Sequence, residues 1–392
     1  MPRPPVANPH VQVLRPSVFT QLAARFPHLP SPPIPLHLGD TYRQPHESAL
    51  LHRAVDRLPA NGYQYAHPNG YMPLRQALAD RCGRDGLPGV TADDVVVTVG
   101  GTGAIAAIWH MWLQPGDEVL LLSPYWPLVR GIIESHGGVP VEVPFYDRLR
   151  QGETPAAILR PHLTDRTVAL YVTSPNNPCG TVLTPEESAD LAKFCVDSDL
   201  WVMADEAYYH YVYADAVHTW MATLPGMKER TASVFTASKS YALAGLRIGF
   251  VVGHGAWLET LRLSCTHHVY QVPLVGQLAV LGAIEGADPW VSETRELYQQ
   301  AAATVASRLD AKFRPAQGGG YVFIDLTDDL QGQSAIDWLL ELLEQGVCLS
   351  PGNVFGQDFS NWARVCYTAV PPEQLHLALD KLNGALARLR AR

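Results

Sequence analysis

The sequence predicts an α/β protein: a large domain with a mostly parallel seven-stranded sheet covered by helices, followed by a smaller α+β domain. Three observations carry this expectation. Seven short apolar runs recur at 95–99, 119–122, 139–143, 168–172, 201–204, 234–236 and 248–252. They read as strands of a parallel sheet buried on both faces, because such strands are apolar throughout instead of alternating. Helical patterns separate several of them, at 104–113, 128–136 and 185–197. Strand–helix alternation of this kind marks a doubly wound sheet. After about residue 280 the pattern changes to longer helices and fewer strands.

Taken in order, residues 1–45 read as an extended arm, with Pro30, Pro32, Pro33 and Pro35 close together and unable to continue a helix. Only 17–25 has helical character there. His37-Leu38-Gly39-Asp40 reads as a short extended run ending in a glycine turn. A helix is expected over 48–58, a loop over 63–70 from its Pro68-Asn69-Gly70 signal, and an amphipathic helix over 73–84. Beyond the seven strands, Pro289 suits the first position of a long helix over 288–313. Gly318-Gly319-Gly320 leads into a strand at 321–326. A helix (334–345), two strands (347–350 and 363–368) and a terminal helix (372–389) complete the smaller unit. The expected division is an arm at 1–45 packed on the small domain, a large domain at 46–285, and a small domain at 286–392.

The composition narrows the class. The chain has 392 residues, of which 47% are hydrophobic and 17% charged, enough apolar content for a sizeable core. A formal net charge of −9 without a dense Lys/Arg block argues against nucleic acid and anionic membrane as partners. No apolar run is long enough to span a bilayer. Met1–Asn8 lacks the apolar segment of a secretory signal. The six cysteines are scattered without a CxxC pair, which reads as reduced thiols of a cytoplasmic protein and not as a zinc site.

Chemistry concentrates where strands end. In the stretch 233–250, an apolar run stops at Thr236, Ser238 and Lys239 follow at the turn, and a short helical piece at 241–246 precedes Arg247. An amine flanked by hydroxyls and a guanidinium suits a covalent site beside a phosphate; alone, it equally fits a surface lysine near a buried arginine. Asp205 closes the run 201–204, where ligands of open α/β sheets collect. A carboxylate there needs a cationic partner, and an N-cap is the plainer role. Tyr208, three residues on, suits either the same crevice or the core.

The loop Ser174-Pro175-Asn176-Asn177-Pro178-Cys179-Gly180 follows another strand and can aim the Asn177 amide. Gly100-Gly101-Thr102-Gly103-Ala104 lies between a strand and a helix, where backbone N–H groups can meet an anion. Gly101-x-Gly103-x-x-Ala106 also matches the dinucleotide fingerprint, but the acid expected at the end of the second strand is missing, since that strand ends in Leu121-Leu122-Ser123-Pro124. Trp126, again at a strand end, can stack on an aromatic ring. Arg364 begins a strand in the small domain, where it would clamp a carboxylate or form a surface ion pair.

Asn177-Pro178-x-Gly180, Asp205-x-x-Tyr208, Ser238-Lys239 and Arg247, in that order and spacing, resemble the fold-type I pyridoxal-phosphate enzymes. The chain looks like a class I/II aminotransferase of the aspartate aminotransferase superfamily, from about Leu36 to its C-terminus. The resemblance implies pyridoxal 5'-phosphate as cofactor, with Lys239 as the Schiff-base lysine and proton shuttle and Asp205 as the partner of the pyridine nitrogen. Asn177 and Tyr208 would bond the phenolic oxygen. Gly101, Thr102, Gly103, Thr236, Ser238 and Arg247 would hold the phosphate, and Trp126 would stack on the ring. Tyr65 would reach the neighbouring subunit's phosphate, implying a homodimer with shared sites. Arg364, with the Gly39 backbone and Asn177, would bind the substrate α-carboxylate.

The implied reaction moves an amino group between an L-amino acid and a 2-oxo acid. One departure bears on the substrate. Where dicarboxylate-specific relatives supply an arginine from the partner chain, residues 264–271 carry none, leaving His267 or Arg43 as possible substitutes. Tyr42, Tyr125 and Tyr270 favour a neutral or aromatic donor. Another reaction on the same cofactor (β-elimination, decarboxylation or an oxidative or cyclising step) is the competing reading, because fold and cofactor residues do not separate these.

Overall fold

The structure is a computed structural model that describes residues 6–14 and 24–392. Seven strands form the main sheet: β1 (Val95–Val99), β2 (Glu118–Ser123), β3 (Val139–Pro144), β4 (Thr167–Thr173), β5 (Trp201–Asp205), β6 (Thr231–Thr236) and β7 (Ile248–Val252). Their order across the sheet is β1-β7-β6-β5-β4-β2-β3. Neighbours among β2 to β6 pair in parallel. β7 is the exception to the parallel expectation and runs antiparallel to both β1 and β6. Its link to β6, residues 237–247, is too short for the crossover helix that a parallel neighbour needs.

Both faces of this sheet are covered, which is why its strands read as unbroken apolar runs. On one face Val96, Val119, Leu121, Tyr171, Met203, Val234 and Val251 pack beneath helices Gly100–Trp112, Pro127–Ser135 and Trp257–Val269. On the other, Val95, Val97, Phe235 and Phe250 meet helices Met72–Arg84 and Leu274–Gly286, while Leu120, Leu170, Val202 and Ala204 meet helix Pro185–Asp197. Helices Trp257–Val269 and Leu274–Gly286 escaped the sequence reading. The second is apolar on all sides, with ten buried residues, so it lacks the periodicity by which a helix is recognised.

A smaller sheet is antiparallel throughout: β8 (Lys312–Phe313), β9 (Tyr321–Asp325), β10 (Ser350–Pro351) and β11 (Trp362–Cys366), in the order β10-β11-β9-β8. Its core joins helices Ala335–Glu344 and Pro372–Arg390 with Leu36, Tyr211 and Tyr213. The long helix Asp288–Arg308 buries Val291 in the main-sheet core, and Tyr298, Ala302 and Val305 in the small-sheet core. It stops before 313, and the expected last turn is instead strand β8.

Other boundaries shift as well. The expected helix 48–58 is a 3-10 turn at Glu47–Ala49 followed by helix Leu51–Asp56. The extended run at 37–40 is a turn. Near the start of the arm, Pro9–Gln12 forms a single helical turn capped by Asn8. The helix expected at 17–25 lies, up to residue 23, outside the described residues. The arm then threads along the small sheet: Ile34 bridges to Val347, and the Cys366 N–H donates to the Leu36 carbonyl at 2.8 Å.

Candidate active site

The crevice lies at the carboxyl edge of the main sheet, where β1, β2, β4, β5 and β6 all end. Because β7 runs the other way, its beginning falls on that same edge and brings Arg247 there. Lys239 sits in the turn of helix Ala237–Ser240, whose first N–H groups are capped by Thr236: the Ser238 N–H donates to Thr236 Oγ1 at 3.2 Å. The Lys239 Nζ donates to the Gly39 carbonyl of the arm. Burial lowers the pKa of this amine, with Arg364 and Arg247 acting in the same direction against Asp40 and Cys366. A lowered pKa increases the neutral, nucleophilic fraction.

Asp205 ends β5 beneath the same turn. Its Oδ2 accepts from the Tyr171 hydroxyl at 2.6 Å and its Oδ1 from the Ala207 N–H at 3.1 Å. Burial nevertheless raises its carboxyl to about 6, with Glu206 adding and Lys239 subtracting. Asp205 forms no ion pair among the described residues, so the site holds a buried acid in want of a cation. Tyr208 is buried, and its hydroxyl meets that of Tyr321 at 2.7 Å. Tyr171 and Tyr321 were missed in the sequence, since a tyrosine inside an apolar strand is indistinguishable from core.

A cluster of donors suited to an anion stands beside the lysine. Helix Gly100–Trp112 begins directly after β1 with no side-chain cap, leaving its first N–H groups without intrahelical partners. Gly100 has φ +68°, and a Cβ there would lie 2.6 Å from Arg247 Nη2. Gly101 faces Thr236, whose hydroxyl donates to Ser238 Oγ at 2.8 Å. Arg247 is held in the left-handed region at φ 55° by the turn into β7 and donates to the Ala244 carbonyl at 2.8 Å. It too has no carboxylate partner among the described residues. Thr102 and Gly103 occupy the next positions of the helix. The short helix expected at 241–246 is instead split into Ala237–Ser240 and a 3-10 turn at Ala244–Leu246.

Arg364 is 4% exposed and lies on β11, not on the surface. It donates from Nη1 to Asn177 Oδ1 at 2.9 Å, and from Nη2 to the His37 carbonyl at 2.7 Å and Ser350 Oγ at 3.2 Å. Its guanidinium lies over the rings of Tyr321 (4.5 Å) and Phe355 (5.0 Å), and its Nε has no acceptor among the described residues. No carboxylate pairs with it among the described residues. Gly39 is close by: a Cβ there would meet the Tyr321 hydroxyl at 2.7 Å. Asn177, buried like Arg364, comes from the loop after β4, which Gly180 ties to the small sheet through N–H donation from Gln317 and Gly318 to its carbonyl.

The remaining candidates are placed differently. Trp126, half-buried before helix Pro127–Ser135, packs on the cluster that contains Tyr171. Tyr65 is 84% exposed, edge-on to Tyr270 at 4.9 Å, and does not join the lysine crevice of its own chain. Tyr125 is tied to Glu142 at 2.6 Å. Tyr42 packs on the small-sheet core. Arg43 is ion-paired with Glu293 at 2.8 Å, and His267 bonds the Leu263 carbonyl on an exposed helix face. Neither is therefore poised as a carboxylate clamp.

Comparison with known proteins agrees with this geometry. The family model for aminotransferase class I and II matches residues 43–382. The arginine–pyruvate transaminase AruH of Pseudomonas aeruginosa is 33% identical over 324 residues, 81% of this chain and 81% of the relative. A probable aspartate/prephenate aminotransferase of Thermus aquaticus is 32% identical over 329 residues, 82% of this chain and 84% of the relative. The structure of the Thermus thermophilus aspartate aminotransferase with maleate superposes with a TM-score of 0.88 at 29% identity, covering 97% of this chain and 100% of the other. The chain belongs to the class I and II aminotransferases, pyridoxal-phosphate enzymes of the aspartate aminotransferase fold that act on amino acids.

Proposed function

We propose that Lys239, Asp205 and Arg364 form the working centre of an aminotransferase for neutral or aromatic L-amino acids. The observation that carries this reading is Arg364: a buried guanidinium without a carboxylate partner among the described residues, sharing a crevice with a buried amine of lowered pKa. The residues also fit pyridoxal 5'-phosphate. Asp205 is a buried acid awaiting a cation, as the pyridinium nitrogen would be. Gly100, Gly101, Thr102, Gly103, Thr236, Ser238 and Arg247 supply N–H, hydroxyl and guanidinium donors for a phosphate, with Arg247 unneutralised beside the uncapped helix end. Trp126 would lie against the ring.

When bound, the cofactor supplies an electron sink for charge developing at the substrate α-carbon. Lys239 would carry the cofactor and, once freed by the donor's amine, take the α-proton on its neutral Nζ. Asp205 keeps a negative charge at the base of the crevice. Tyr208 and Asn177 offer donors to the ring's phenolic oxygen. Arg364 and Asn177 orient the α-carboxylate, with Gly39 closing that side. Two candidates for holding a second substrate carboxylate are engaged or missing: Arg43 is taken by Glu293, and residues 264–271 hold no arginine.

We further propose a cytoplasmic homodimer in which Tyr65 of one subunit reaches the other's phosphate cup. The exposed aromatics Tyr63 (94%), Tyr65 (84%) and Tyr270 (46%) support such an interface. Residues 1–45, 46–285 and 286–392 would be its arm, large domain and small domain. The test is a panel of amino acids mixed with the yellow holoenzyme. Neutral and aromatic donors should bleach the visible band and yield 2-oxo acids, and Lys239→Ala should abolish both. Release of ammonia or thiol without 2-oxo acid exchange, or faster bleaching by aspartate than by any neutral donor, would refute it.

A further inference from the structure

Tyr171 is 1% exposed at the centre of the main sheet. On register it faces Met203 of β5, while Asp205 pairs with Thr173. Tyr171 and Asp205 are thus diagonal neighbours on one sheet face, a spacing that a long aromatic side chain bridges. The phenol donates to Asp205 Oδ2 at 2.6 Å, within the range of charge-assisted O–H···O⁻ bonds. Its ring packs in the apolar cluster beneath helix Gly100–Trp112, with the phenols of Tyr146 and Tyr208 nearby, and among the described residues its hydroxyl hydrogen-bonds Asp205 alone.

The groups facing Asp205 are Tyr171 from β4, the Ala207 N–H and Glu206 from its own segment, Tyr208, and Lys239 from the turn after β6. Among the described residues, only Tyr171 contributes a side-chain hydrogen bond to the carboxylate. We propose that Tyr171 is a positioning residue that keeps Asp205 ionised and its carboxylate oriented for the cofactor ring nitrogen. The assignment rests on the role proposed for Asp205 and adds a residue no strand pattern could reveal. Burial alone drives a carboxyl towards its neutral form. The phenol opposes that by bonding the charged form, and it holds Oδ2 in one place.

Apoprotein of four variants tests this: wild type, Tyr171→Phe, Asp205→Asn and the double variant. Cofactor affinity is measured by equilibrium dialysis between pH 5.5 and 8.5, together with the visible spectrum of the bound cofactor. Tyr171→Phe should weaken binding about ten-fold and move the acid limb of the affinity profile to higher pH. In the Asp205→Asn background the same change should have less than a two-fold effect, because a positioning residue acts only through its partner. Equal weakening in both backgrounds would mark Tyr171 as merely structural and overturn the proposal, as would unchanged affinity and pH profile in Tyr171→Phe.

If Asp205→Asn itself left affinity intact, the reading of Asp205 would fall and this inference with it. If Asp205→Asn weakened binding and Tyr171→Phe did not, this inference alone would fall. Should the phenylalanine variant not fold, a fluorinated tyrosine at 171, a stronger donor, should shift the acid limb to lower pH. No shift or the reverse shift would refute the assignment.

Discussion

Asp205 shows what a functional side chain costs its protein. Its folded carboxyl lies near 6 against an ordinary 3.8. The native state therefore binds more protons than the unfolded one between these values, and the apoprotein loses stability as pH rises through that window. Asp205→Asn should stabilise the apoprotein at pH 8 by on the order of 2 kcal/mol, read from thermal melts, while it weakens cofactor binding. A destabilised apoprotein would contradict the burial argument. Lys239 gives the complementary expectation. Its folded pKa lies below the ordinary 10.5, so the rate at which the apoprotein captures pyridoxal phosphate should rise with pH along a limb centred below that value, measured by stopped-flow absorbance. Arg364→Lys keeps the charge but loses the fork that reaches Asn177, Ser350 and a carboxylate together. It should raise KM for the amino donor by roughly thirty-fold, about 2 kcal/mol, with a smaller change in kcat.

The turn from β6 to β7 organises these residues at the scale of elements. Thr236 caps it, Lys239 fills it, and its short length makes β7 antiparallel, which is what brings Arg247 to the edge where the other strands end. Gly249 lets β7 pass under the start of helix Gly100–Trp112. A Cβ there would lie 2.5 Å from Gly100 C and 2.6 Å from Gly101 N, backbone atoms that cannot move aside alone. Gly249→Ala should therefore destabilise the protein by about 2 kcal/mol in urea titrations and weaken phosphate binding. Unchanged stability and affinity would mean that the β7–helix contact is looser than its geometry.

Across the whole molecule the crevice is built from distant parts of the chain. Gly39 comes from the arm, Asn177 from the loop after β4, Lys239 from the turn after β6, and Tyr321 and Arg364 from the small sheet. Helix Asp288–Arg308 buries residues in both cores and so packs against both sheets. The proposed dimer makes its own prediction. Mixed subunits of Lys239→Ala and Tyr65→Ala, refolded together, should recover about a quarter of wild-type activity, since random pairing leaves about half of the dimers with one complete site. Recovery no greater than the sum of the separate variants would show that Tyr65 does not cross between subunits.

Order along the chain was enough to determine the strand–helix alternation, the strand ends that carry Gly101, Asn177, Asp205 and Lys239, and the family they resemble. These are local patterns: apolar runs of strand length, and turn residues beside chemistry-bearing side chains. The partners of those residues were decided only by tertiary structure. Tyr171 looks like core in its strand and Tyr321 like core in another. Arg364 looks like a surface arginine until β9 and β11 bury it against Asn177 and the His37 carbonyl. The direction of β7 was equally hidden, because an apolar run of five residues reads the same either way, and only the short connection before it settles which way the strand must run.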